Sequence, residues 1–163
     1  MADEFLRITH RSDISYLAGI IDGEGCLSVI KRSSGGWDVN FGVTSTCLEM
    51  LEHIQKSFGG TVIRENRGER QEQAYRWHLV AKPRLIELLP ELIPELVVKK
   101  MNAILLLDFC LRFSPGKGKR FSLCEKLLMD KYARVSSILN SIGPGSTAIK
   151  QQTVTAIVGF KNG

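Results

Sequence analysis

The stretch Leu17-Ala18-Gly19-Ile20-Ile21-Asp22-Gly23-Glu24-Gly25 decides how the rest of the chain is read. It follows His10-Arg11-Ser12-Asp13, where Ser12 or Asp13 offers the side-chain oxygen that caps a helix start. Ile14, Leu17 and Ile21 recur at helical spacing and predict a core-facing stripe. Gly19 and Gly23 fall four apart on another face. A glycine inside a helix costs roughly 1 kcal/mol relative to alanine, so two of them need a reason. Close approach of a second backbone is such a reason. The run ends in Asp22 and Glu24, followed by Gly25 as an expected left-handed stop.

The two acids are electrostatically out of place. A helix C-terminus carries partial negative charge and favours a cation. Carboxylates there make sense beside a divalent ion, and Mg²⁺ takes carboxylate and carbonyl oxygens, with waters and substrate phosphates completing its shell. An isolated Asp-x-Glu would read as two solvated acids; the glycines beside it favour the metal.

These nine residues resemble the LAGLIDADG motif of the homing endonucleases. Ile20 stands for Leu and Glu24 for Asp, and Gly23 differs where the motif is spelled with Ala. The chain is most similar to the single-motif, homodimeric branch, in which this helix packs against its twin. Residues Ala18, Gly19 and Gly23 would then form the dimer interface.

Composition sets the bounds. A chain of 163 residues, 44% hydrophobic and 24% charged, suits one soluble globular domain over residues 1–163. Lys and Arg exceed Asp and Glu by 22 to 17, a net charge of +5 that favours a polyanionic partner. Cys26, Cys47, Cys110 and Cys124 form no CxxC pair, and His10, His53 and His78 show no zinc spacing, so reduced core thiols are expected rather than disulfides or a zinc site. No signal peptide or membrane-length apolar run is visible. The expectation is a soluble intracellular protein of an organelle (chloroplast or mitochondrion) or a prokaryotic cytoplasm, with no membrane partner.

Beyond the motif, Leu27 and Val29 alternate with Ser28, Ile30 and Arg32, and a turn at 33–36 leads to a second strand. There Val39, Phe41 and Val43 alternate with Asp38, Asn40, Gly42 and Thr44. Thr46 and Glu49 have capping-box spacing before a helix that Gly59-Gly60 stops. The same order then returns: Thr61 to Arg64, a charged loop, and a strand with Tyr75, Trp77 and Leu79 on one face and Arg76 and His78 on the other. A further helix carries Leu85 to Leu89 until Pro90 and Pro94 break it. Strand-strand-helix twice behind a leading helix predicts an α+β layer of four antiparallel strands with helices on one face. This is the αββαββα order of the LAGLIDADG endonucleases, with their saddle sheet and additional C-terminal helices. Lys99-Lys100 opens an apolar helix through Leu111, and Ser122 and Glu125 form a capping box for the next. The tail from Ser146 to Phe160 reads as either a short helix or a strand.

The sheet face away from the helices carries Ser28, Ile30, Arg32, Asn40, Thr44, Arg64, Asn66, Arg76 and His78. A solvated face is common in antiparallel sheets. Yet Arg suits guanine edges and Asn suits adenine, and a β-ribbon fits a major groove roughly 12 Å wide. Lys117, Lys119, Arg120 and Lys150 would hold phosphates. The resemblance implies a homodimer on a long, near-palindromic DNA duplex, cutting both strands across the minor groove with Mg²⁺, a site that Mn²⁺ or Ca²⁺ can also occupy. It places Glu24 on the metal-binding acid, aided by the Gly23 carbonyl. It places Lys99 on a lysine that supports the transition state or attacking water, with Lys100 as an alternative. Ser45 falls where the family often has a polar amide, and would act through water. Asp22 is expected to support the end of its own helix rather than bind metal. The rival functions are a maturase that binds intron RNA on the same fold, a metal-free DNA-binding regulator, and an unrelated small α+β enzyme. The last lacks a nucleotide loop or a Cys/His pair in its favour.

Overall fold

The nonapeptide closes a long helix, α1 (Ala2–Glu24), in the computed structural model, which describes residues 2–66, 72–113, 120–143 and 146–159. The helix begins well before Ser12 and Asp13, so neither is its N-cap. Phe5, Leu6 and Ile8 extend the apolar pattern upstream, and a capping residue alone does not stop a helix whose pattern continues. Ile14, Leu17, Ala18 and Ile21 are all buried. Gly25 has no positive φ, so it is not a left-handed stop. A Cβ there would lie 2.6 Å from the Ile21 carbonyl oxygen, so glycine lets the chain pass directly from helix to strand.

That strand is β1 (Gly25–Lys31). It is followed by β2 (Trp37–Ser45), α2 (Leu48–Phe58), β3 (Thr61–Glu65), β4 (Ala74–His78) and α3 (Lys82–Leu92). The helices α4 (Lys100–Arg112), α5 (Leu123–Ser141) and α6 (Thr147–Val158) complete the described chain. The four strands form one antiparallel sheet in the order β1-β2-β4-β3, as the repeated strand-strand-helix pattern predicts. Leu27, Val29, Val39, Phe41, Val43 and Trp77 line its inner face. They pack against the buried stripes of α1, α2 (Leu51, Ile54, Phe58) and α3 (Leu85, Leu89, Leu92) in one continuous cluster.

Several boundaries differ from the sequence reading. Cys47, not Thr46, is the N-cap of α2, and Ser45 Oγ accepts the Cys47 N–H at 3.1 Å. Pro90 sits inside α3, because the buried Leu89 and Leu92 hold the helix through it; a single 3-10 turn, Ile93–Glu95, follows. Leu111 is exposed on α4, whose core face is Asn102, Leu105, Leu106, Phe109 and Cys110. The tail is helical. The capping box of α5 is present: Glu125 N–H donates to Ser122 Oγ at 3.2 Å, and Ser122 N–H to Glu125 Oε2 at 2.7 Å.

The outer edge of β1 is covered by α5. Val29 N–H donates to Ser136 Oγ at 2.9 Å, and Asn140 Nδ2 donates to the Leu27 carbonyl at 3.4 Å. Side chains thus satisfy backbone groups that would otherwise template pairing with another strand. All four cysteines are free, but only Cys110 is a core thiol; Cys26, Cys47 and Cys124 are exposed. Burial lifts the Cys110 thiol to about 11, and it stays protonated near neutrality. No helix among the described residues is long and apolar enough to cross a membrane.

Candidate active site and DNA-facing sheet

The end of α1 is tied to the start of α4 by a reciprocal set of bonds. Asp22 Oδ2 accepts the Val97 N–H at 2.7 Å, and Oδ1 accepts those of Val98 and Lys99 at 3.2 and 2.8 Å. The first N–H groups of a helix have no intrahelical partner, and a carboxylate at that positive pole is stabilised. Asp22 is therefore held by the helix-start segment of α4, which explains an acid at the negative end of its own helix. In return Lys99 Nζ donates to the Ile21 carbonyl at 2.8 Å, supplying the cation that the C-terminus of α1 favours. We expect Asp22→Ala, which strands three donors, to cost about 2 kcal/mol in urea unfolding at neutral pH; a loss below about 0.5 kcal/mol would show that the clamp adds little.

Glu24, two residues on, is exposed and makes no hydrogen bond among the described residues. Burial lowers the Lys99 ammonium below the usual lysine range, while attraction to Asp22, Cys26 and Glu24 opposes the shift and the like charge of Lys150 adds to it. Lys99 is thus a half-buried cation within electrostatic reach of Glu24. Ser45 ends β2 two residues beyond Val43, the partner of Gly25, which puts it at the same end of the sheet. Its oxygen accepts one bond from Cys47 N–H, leaving the hydroxyl proton and one lone pair free. No group of three or more metal-ligating His, Cys, Asp or Glu side chains occurs among the described residues.

Gly19 and Gly23 are both exposed, and a Cβ on either would meet nothing within 4 Å. The glycine face of α1 is therefore open. Ala18 is not on that face: it is 2% exposed and faces the chain's own core, one turn from Ile14 and Ile21. It is removed from the expected interface.

The open sheet face carries Cys26, Ser28 and Ile30 from β1, followed by Arg32, and Asp38, Asn40, Gly42 and Thr44 from β2. Arg76 and His78 come from β4, and Thr61, Ile63 and Glu65 from β3. Arg64 is not among them. It stands opposite Tyr75, on the helix side, where it bonds Gln73. A one-residue step exchanges the faces of a strand, and Ile63 holds the open position opposite Arg76. Ser28 does lie on the open face but is only 9% exposed, with its Oγ 3.9 Å from Cys26 Sγ. Arg32 pairs with Asp38. Asn66 and Arg120 are exposed.

Lys150 cannot meet a phosphate on the surface. It is 5% exposed on α6 and lines a cleft of about 270 Å³ with Val98, Met101 and Val154. The side of α6 that carries Lys150 also carries the buried Val154 and packs against the chain's own core. Lys117 and Lys119 lie outside the described residues. The sequence reading missed Cys26, Thr61, Ile63 and Glu65 on the open face. Extending the alternation back from Ser28, and pairing β3 against β4, would have found them.

No protein-family model matches the chain, and no curated protein matches it. Solved structures do. A complex of the homing endonuclease I-CvuI with the I-CreI target in 2 mM Mg, its DNA not cleaved, is 22% identical with a TM-score of 0.65, over 94% of this chain and 98% of that one. I-CvuI with its own target in 2 mM Ca gives 21% and 0.66, over 94% and 99%. The LAGLIDADG homing endonuclease I-SmaMI bound to cleaved DNA gives 18% and 0.54, over 76% of this chain and 43% of that one. The fold is that of the LAGLIDADG homing endonucleases, as the nonapeptide led one to expect.

Proposed function

We propose that the chain is one subunit of a homodimeric, metal-dependent DNA endonuclease. It would bind a long, near-palindromic duplex with its open sheet face and hydrolyse both strands across the minor groove. The observation that carries this reading is the placement of Glu24. It is an exposed carboxylate at the end of an uncovered glycine face, beside a half-buried lysine, where the helix runs directly into the open sheet. The likeness to endonucleases solved on DNA supports it.

A divalent ion fits the donor set. Asp22 is already shared among three N–H groups, so Glu24 and the Gly23 carbonyl are the oxygens left to hold the ion. One carboxylate per subunit suits Mg²⁺, which keeps waters and takes phosphate oxygens for the rest; Mn²⁺ or Ca²⁺ could occupy the same oxygens. When bound, the ion would supply charge to the phosphoryl oxygens and favour a nucleophilic water. The remaining roles belong to the chain. Lys99, held by the Ile21 carbonyl and anchored through Asp22, places positive charge beside the scissile phosphate. Ser45 can orient a water with its free proton. The two Glu24 carboxylates meet near the dimer axis, one for each strand.

The test uses a pool of randomised duplexes. In Mg²⁺ the protein should enrich a near-palindromic site and cut both strands, and in Ca²⁺ it should retain that site uncut. A protein that enriches no duplex, or that binds one as a monomer, would overturn the reading.

A further inference from the structure

The open face holds a chain of side chains with a consequence for base reading. Arg76 stands opposite Thr44, yet its Nη2 donates to Asn40 Oδ1, two same-face positions along β2. The position between them is Gly42, which offers no side chain to obstruct that reach. Glycine is required there, since a Cβ would lie 2.4 Å from the Trp77 carbonyl oxygen. Asn40 in turn donates through Nδ2 to Cys26 Sγ at 3.2 Å. Arg76 settles the orientation of this amide, because its N–H facing the amide nitrogen would repel.

Reading adenine requires an amide to donate and accept at once, through both its nitrogen and its oxygen. Each of those atoms of Asn40 already makes one bond inside the protein, so the tilt of the amide is set by Arg76 and Cys26 and not by a base. Arg76 has five N–H donors and uses one on Asn40, leaving enough of its fork to meet guanine O6 and N7. Pinning a long side chain before binding removes rotamer entropy that the complex would otherwise lose. We infer that Asn40 is a positioning residue that presets Arg76 to read one guanine in each half-site, and that Cys26 anchors Asn40 in that role. This inference rests on the endonuclease reading of the same face.

The experiment is binding selection from randomised duplexes in Ca²⁺ with the full-length protein. Arg76→Ala should erase a guanine preference at one base pair per half-site, a loss of discrimination on the order of tenfold to hundredfold. Asn40→Ala should weaken preference at that same base pair severalfold and leave A·T positions unchanged. Asn40→Asp keeps the acceptor for Arg76 and should restore it. Cys26→Ala should give a milder form of the Asn40→Ala profile. Loss of an adenine preference in Asn40→Ala, or an unchanged guanine position, would overturn the inference while leaving the endonuclease reading intact. If the unaltered protein selects no sequence, it is that underlying reading that fails.

Discussion

Glu24→Gln should hold its duplex target and cut neither strand. Glutamine matches glutamate in size and removes only the charge. The side chain is exposed and makes no hydrogen bond among the described residues, so folding stability should stay within about 0.5 kcal/mol. On the proposed reading, duplex binding falls to the open sheet face, and Glu24 lies at the end of α1 outside it. In metal-free buffer affinity should stay level or rise, since a carboxylate beside a phosphate is repelled. Cleavage needs charge placed where the phosphoryl group becomes most negative, and losing one such group costs on the order of 10²–10³-fold in rate. Here the loss should reach at least that range, because the nearest other carboxylate along the helix, Asp22, is committed to the N–H groups of Val97, Val98 and Lys99. Glu24→Asp should keep measurable cleavage, since either acid can reach an ion. Single-turnover cleavage beside equilibrium binding in Ca²⁺ makes the measurement. A Glu24→Gln rate within tenfold of the parent would remove this carboxylate from the chemistry and return the maturase or regulator to first place.

The sheet and helix order were legible because the signals there are periodic. Val39, Phe41 and Val43 alternate without a break, and all three are buried. The glycine pair is a different case: two costly residues lie on one helix face, and within this chain that face is open. Arg64 shows where such reading stops. It is one residue from the strand position that faces the open side, and only pairing against Tyr75 fixes which face it takes. Lys150 shows a second limit, since charge does not reveal that a tail helix will turn a lysine inward. Asp22 is expected to support the end of its own helix, and it instead holds the start of another. Its partners lie more than seventy positions away, and three backbone N–H groups leave no trace in residue type. The same holds for Asn40. Its residue type suggests an adenine reader, and only its neighbours Arg76 and Cys26 show both ends of the amide in use.

Gly19→Leu separates the two explanations for that glycine pair. If the face serves only the lone subunit, a side chain there meets open space and the helix gains propensity. Gly19→Ala should then stabilise by roughly 0.5–1 kcal/mol, and Leu should cost nothing. If the face is where two copies of α1 cross, the effect reverses in the dimer. Overpacking a close contact costs about 1–3 kcal/mol per site, and a two-fold interface counts each substitution twice. The combined cost of about 2–6 kcal/mol corresponds to a dissociation constant raised roughly 30-fold to 10⁴-fold. Gly19→Leu should therefore sediment as a folded monomer at concentrations where the parent is a dimer, with an unchanged circular dichroism spectrum. Double-strand cleavage should fall with dimer population, because each strand needs its own Glu24. A Gly19→Leu protein that still dimerises would move the interface elsewhere on the molecule. One that unfolds as a monomer would mean the glycine face is packed within the subunit, contrary to the open space around it.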